Sequence, residues 1–97
     1  MEEIDVNGKK IRIKEPLGEH QERYFMAIAK TQKIRENPEA GVEMLRVRYE
    51  LVKELCGFET VEEVKKLPVS AINRIMEAIE RMMRIGETEE IKNLKRQ

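Results

Sequence analysis

The sequence predicts a mainly α-helical domain, a small bundle of about four helices with a short N-terminal β-hairpin. Three observations support this fold class. Apolar and polar residues alternate around an Asn-Gly dipeptide near the amino end, apolar residues then recur at helical spacing, and proline or glycine interrupts them. Because two cores in 97 residues would each be too small to be stable, we predict one domain over residues 1–86, followed by a frayed or mobile tail over residues 87–97.

A β-hairpin is predicted over residues 2–14. Asn7 and Gly8 form the dipeptide that best tolerates the positive φ angles of a type I′ turn. With these two residues as the loop, Ile4 lies opposite Ile11, and opposite charges face each other on the other side of the ribbon. A two-stranded ribbon is marginal alone, so its apolar face must pack on helices or pair with another chain. That face holds four side chains: Ile4, Val6, Ile11 and Ile13.

Two long helices are predicted next. The first runs from about residue 19 to residue 35, where Asn-Pro stops it, and the second runs from about residue 39 to residue 56. Gly57 can adopt the left-handed conformation that ends the second helix. The apolar surface of this helix is wide, with one stripe formed by Val42, Leu45, Tyr49, Val52 and Cys56.

Two further helices complete the domain. Thr60 caps a short third helix, with Glu63 placed to complete a capping box, and Pro68 closes that segment. Ser70 is the predicted cap of the fourth helix, which ends at Gly86. This last helix is strongly amphipathic, and its predicted apolar face contains Ile72, Ile75, Met76, Ile79, Met82 and Met83.

Composition excludes several classes of function. Because 19 basic residues offset 19 acidic residues, the chain has no field of one sign to attract nucleic acid or an anionic membrane. Apolar runs are far shorter than the roughly 20 residues that span a bilayer. With a single cysteine and no leader pattern, we expect a cytoplasmic protein without an internal disulfide.

The residues that carry enzyme chemistry are sparse, so we expect a non-enzymatic protein with no catalytic residue, cofactor or metal. His20 is the single histidine and is predicted to be exposed on the surface. Cys56 lies on an apolar stripe, which favours a buried structural thiol. Adjacent acids such as Glu62 and Glu63 are interpreted as solvated helix surface, with a catalytic acid-base pair as the less favoured alternative.

The fourth helix is more apolar than one buried face requires. Flexible methionine side chains suit surfaces that accept helical partners, and they also fill irregular gaps in a core. On the first interpretation the chain binds a protein with helical segments or a second copy of itself. The predicted partner-binding residues are then Ile79, Met82, Met83 and Ile85.

Residues 60–66, a turn at residues 67–69 and the helix from Ser70 imitate the spacing of a helix-turn-helix. A DNA-reading helix presents polar or basic side chains in its first turns, and of the residues from Ala71 to Ile75 only Asn73 and Arg74 are of that kind. A small DNA-binding regulator is therefore an alternative function, and an ordinary helical corner is the simpler interpretation.

The order of elements resembles that of the tail assembly chaperones of long-tailed phages and related proviruses. The resemblance covers about residues 2–86 and depends on the strand pair around Asn7 and Gly8, and on the Leu67-Pro68-Val69-Ser70 step before an amphipathic helix. It implies a protein that binds the tape measure protein, keeps it soluble and recruits tail tube subunits, and it identifies no individual functional residue. A structural, oligomeric phage-like protein is a further alternative.

Overall fold

The computed structural model, which describes residues 2–31 and 38–83, has two strands followed by four helices in the described part of the chain. The strands are β1 (Glu2–Val6) and β2 (Lys9–Ile13), and the helices are α1 (Gly18–Thr31), α2 (Glu39–Cys56), α3 (Val61–Lys65) and α4 (Val69–Met83). The predicted fold class is confirmed. The predicted ends of the first and fourth helices, and the predicted tail, lie outside the described residues.

The hairpin has the predicted register. Ile4 pairs with Ile11 across the antiparallel strands, and the two-residue turn contains Asn7 at φ 53° and Gly8 at φ 82°. The amide of Gly8 also donates a hydrogen bond of 2.9 Å to the Asp5 side chain, which satisfies a turn donor. Local turn chemistry therefore sets the pairing of the strands.

The apolar face of the hairpin packs on helices of the same chain. Ile13 is fully buried, and both strands contact α4 while β2 also contacts α2. The backbone amide of Lys14 donates to the carbonyl oxygen of Leu55 at 2.8 Å, which satisfies one of the last carbonyls of α2. Helices of the same chain therefore cover the apolar face of the ribbon.

Helices α1 and α2 form an antiparallel pair joined by ion pairs at both ends. Arg23 donates two hydrogen bonds to the Glu54 carboxylate, at 2.6 and 3.3 Å, and Lys30 lies 2.8 Å from Glu43. The hydrogen bond from Arg23 lowers the pKa of Glu54, and that from Lys30 lowers the pKa of Glu43. The pairing therefore favours the charged form of both carboxyl groups.

The junction between α2 and α3 follows the predicted capping pattern. Gly57 has φ 77°, and the amide of Phe58 donates to the carbonyl of Lys53 at 3.0 Å, the bond that defines a Schellman motif. The Thr60 hydroxyl accepts from the amide of Glu63 at 3.3 Å and so caps α3.

The start of α4 differs from the prediction that Ser70 is the cap. The helix begins at Val69, so Ser70 lies inside its first turn. The carbonyl oxygen of Pro68 accepts from the amides of Ala71 and Ile72, at 3.0 and 3.1 Å. Proline fixes φ in the helical range, which allows the helix to begin before the serine.

The core is centred on α4. This helix contacts β1, β2 and α2, and most of its apolar side chains are buried. The largest fully buried side chains are Ile13, Leu51, Ile75, Met76, Ile79, Val52 and Val64. The apolar face of α4 is wide because this helix packs against neighbours on several sides.

Candidate functional site

The predicted partner-binding residues on α4 lie mostly in the core. Ile79 is 0% exposed and Met83 is 6% exposed, whereas Met82 is half-buried against the core. Ile85 lies outside the described residues. The structure therefore corrects the expectation that Ile79 and Met83 form a surface, because both side chains are covered by their own chain.

Helix α1 contributes to the burial of α4. The Tyr24 hydroxyl donates a 2.6 Å hydrogen bond to Glu80, and the Gln21 side chain donates to the backbone carbonyl of Met83 at 3.0 Å. Burial, together with the hydrogen bond to Glu80, raises the pKa of Tyr24. These polar contacts join α1 to the carboxyl-terminal part of α4.

A different region exposes apolar surface. Among the described residues, the large exposed apolar side chains are Leu17, Met26, Val42, Leu45 and Val69. Leu17 precedes α1, Met26 lies on α1 and Val69 begins α4. Single exposed apolar side chains of this kind are ordinary on a protein surface. Val42, 69% exposed, and Leu45, 45% exposed, differ because they are neighbours on one face of α2.

Val42 and Leu45 line a groove of about 420 Å³ between α2 and α3. Its lining residues are Val42, Leu45, Arg46, Tyr49, Glu50, Val61 and Lys65, and we call this surface the α2–α3 groove. Val42, Leu45 and Tyr49 follow the i, i+3, i+7 spacing of a helix-packing stripe, and Val61 contributes from α3. The groove thus presents a row of apolar side chains of the kind that packs against another helix.

The groove exists because the apolar stripe of α2 is longer than its cover. At the carboxyl end of the stripe, Val52 is fully buried and Cys56 is half-buried beside the core. Helix α3 has a single turn or little more, Val61–Lys65, so it covers only part of the stripe. The amino-terminal part, at Val42 and Leu45, stays open to solvent.

Three charged side chains line the same groove: Arg46, Glu50 and Lys65. The ammonium of Lys65 lies 5.8 Å from the centre of the Tyr49 ring, within the range of a cation–π interaction. The carboxylate of Glu50 lies 3.8 Å from the Arg23 guanidinium. The charge of Glu50 is therefore partly offset by Arg23, while two cations face the apolar row.

His20 is buried, which corrects the prediction of a surface histidine. The residue is 6% exposed, and its Nδ1 atom accepts a 2.9 Å hydrogen bond from the amide of Leu17. Leu17 immediately precedes α1 and His20 is its third residue, so the imidazole takes the position that Glu or Gln has in a capping box. Nε2 lies 4.0 Å from Glu54. The spacing from Leu17 to His20 is that of a capping box, but it identifies this contact only when α1 is known to begin at Gly18.

Cys56 is half-buried, less deeply than predicted, and burial raises the pKa of its thiol to about 12. The thiol is therefore protonated at neutral pH. Among residues 2–31 and 38–83, no group of three His, Cys, Asp or Glu side chains is placed to hold a metal ion. None of the helices in the described ranges is long and apolar enough to cross a membrane.

The α3–α4 corner does not present a polar reading helix in its first turn. Ala71 and Ile72 are buried, Val69 is exposed, and Asn73 accepts a 2.7 Å hydrogen bond from Arg48 of α2. This geometry is that of a helical corner packed on its own chain. The exposed polar side chains in these turns are Ser70, Asn73 and Arg74, and the oxygen of Asn73 is already bonded to Arg48.

Comparisons with known proteins found no match to a protein-family model, to a curated protein or to a solved structure. The α2–α3 groove and the features of the sequence are therefore the basis for a functional proposal.

Proposed function

We propose that this chain is a non-enzymatic binding protein that holds a helical segment of another protein, and that it acts as a tail assembly chaperone of a phage or provirus. The observation that carries the first part is the apolar row on α2, in which Val42 and Leu45 are exposed and Tyr49 is half-buried against the core. Exposing such a row costs solubility without adding stability, so a contiguous apolar patch favours a binding role.

The chaperone role is supported by the sequence resemblance. The resemblance depends on the hairpin around Asn7 and Gly8 and on the Leu67-Pro68-Val69-Ser70 step before the last helix. A tape measure protein is long and helical, and an apolar groove suits a helical client. Contact alone, without chemistry, would then keep the client soluble and bring tail tube subunits to it.

Co-purification tests this proposal. The full chain is co-expressed with the tape measure and tail tube proteins of the same genome, and the complex is captured on the tape measure protein. We expect a stoichiometric complex that Leu45→Glu abolishes, because the carboxylate would have to be buried against an apolar partner. Met26→Glu is the matched control, since Met26 is also exposed but lies on α1, outside the groove.

Loss of binding in both variants, with both still folded by circular dichroism, would argue against the groove as the client site. Absence of any complex between the wild-type chain and either tail protein would end the chaperone proposal. Binding to duplex DNA with a steep dependence on salt would instead favour the helix-turn-helix regulator.

A further inference from the structure

The lining of the α2–α3 groove describes its partner in more detail than the proposed function requires. Val42, Leu45 and Tyr49 lie in one row along α2, and Val61 of α3 faces the same space. A helix is the element whose side chains repeat at the matching spacing of three and four residues. An amphipathic helix laid in the groove would place its own apolar stripe between α2 and α3.

The charges of the groove indicate what lies beside that stripe. Arg46 and Lys65 are exposed, and each contacts an acid of its own helix only at a distance, Glu43 at 4.0 Å and Glu62 at 3.7 Å. Glu43 is already bonded to Lys30. With Glu39 it lines a neighbouring depression that shares Val42 and Arg46 with the groove.

Within the groove, two cations stand against a single carboxylate, Glu50, which faces Arg23. Side chains that flank the stripe of a bound helix reach these cations first. Acidic residues at those positions gain ion pairs and basic residues meet repulsion.

A second copy of the chain fits this groove poorly. If two α2 helices packed against each other about a two-fold axis at the centre of the row, near Leu45, the two Arg46 side chains would meet close to that axis. Like charges brought together in this way oppose association. The same cations attract an acidic partner.

We propose that the α2–α3 groove binds an amphipathic helix of a partner protein whose apolar stripe is flanked by acidic residues. Val42, Leu45, Tyr49 and Val61 contact the stripe, and Arg46 and Lys65 select the acidic flanks. The proposal rests on the proposed binding function and adds the chemistry of the partner.

Synthetic helices test the selection. Three labelled 18-residue peptides carry leucine at the same i, i+3, i+7 positions and differ only in flanking residues, which are Glu, Gln or Lys. Fluorescence anisotropy with the full chain at low salt is expected to show the highest affinity for the Glu peptide, then the Gln peptide, then the Lys peptide. Two ion pairs of ordinary exposed strength correspond to about a tenfold difference in affinity. The span should narrow as salt rises.

Variants locate the binding. Val42→Glu should abolish binding of all three peptides, whereas Met26→Glu should leave every affinity unchanged. The double variant Arg46→Glu and Lys65→Glu should invert the ranking, so that the Lys peptide binds best. Urea midpoints confirm that each variant remains folded, since all four positions are exposed.

Three results would overturn the inference: equal binding of the three peptides, a ranking that the double variant does not change, or binding that Val42→Glu does not affect. Binding of duplex DNA to Arg46 and Lys65, together with no binding of any of the peptides, would also overturn it. A tail protein complex without acidic-peptide selection leaves the chaperone role standing and rejects this inference. Selection of the acidic peptide without a tail protein complex supports this inference and rejects the chaperone role.

Discussion

Replacing Ile79 by alanine distinguishes the core position that the structure shows from the partner-binding surface that was one interpretation of the sequence. The side chain is 0% exposed, and the change deletes three carbons, each contributing about 0.8 kcal/mol when removed from water, or roughly 2.4 kcal/mol together. The cavity left among rigid neighbours raises the total cost to about 3 to 4 kcal/mol. That is a large fraction of the roughly 5 to 15 kcal/mol that stabilises a domain of this kind.

Val42→Ala is the matched control on α2. Because the Val42 side chain is largely solvated already, the loss of burial is about 0.5 kcal/mol, and the better helix propensity of alanine offsets a similar amount. Urea unfolding followed by circular dichroism should show a midpoint lower by about 2 M for Ile79→Ala, for a slope of roughly 1.5 kcal/mol per molar, and no shift for Val42→Ala. Equal midpoints for the wild type and Ile79→Ala would refute the placement of α4 in the core.

Three further predictions concern polar contacts and backbone geometry. Because burial and Glu80 raise the pKa of Tyr24 above its ordinary value of 10.0, the stability this group contributes is present below pH 10 and is lost above it. Tyr24→Phe should therefore cost about 1 kcal/mol at pH 7 and flatten the alkaline decline, and an unchanged alkaline slope would count against this assignment.

The lowered pKa of Glu54 acts in the opposite direction: its contribution is present above its ordinary value of 4.5 and is lost as pH falls below that value. Glu54→Gln should reduce that loss of stability by about 0.5 kcal/mol, the ordinary contribution of an exposed ion pair such as that with Arg23. Identical dependence of the free energy of unfolding on acidic pH in both proteins would contradict this prediction. Gly57→Ala should lower stability by about 1 kcal/mol in urea unfolding, because φ is 77° with open space around the glycine, and no loss would show that the cap is not left-handed.

Local chemistry made the hairpin and the ends of α2 predictable from the sequence. Asn7 and Gly8 specify a turn type that fixes the register of the strands, and Gly57 can end a helix without help from distant residues. Tertiary packing decided the rest. The burial of His20 depends on the turn that it caps, and its hydrogen bond to Leu17 can be read only once the start of α1 is known.

The sequence predicts the type of candidate site, an apolar helix surface, but not its location. The sequence indicates excess apolar surface on two helices, but it does not say which surface the other elements cover. Neighbours surround α4 and bury Ile79, whereas the short α3 leaves Val42 and Leu45 open on a stripe that continues into the core at Val52. The exposure of Val42 and Leu45 therefore depends on the length of α3. The spacing of apolar residues in α2 gives no information about that length.

The hairpin separates its charges by strand, and this has a consequence for assembly. The solvated side chains of β1 include the acids Glu3 and Asp5, whereas those of β2 include the bases Lys10 and Arg12. If two ribbons joined symmetrically through identical strands, acids would oppose acids or bases would oppose bases, which is unfavourable. Within one hairpin the same separation places Glu3 opposite Arg12 and Asp5 opposite Lys10, so the charges of the solvated face are matched inside the molecule.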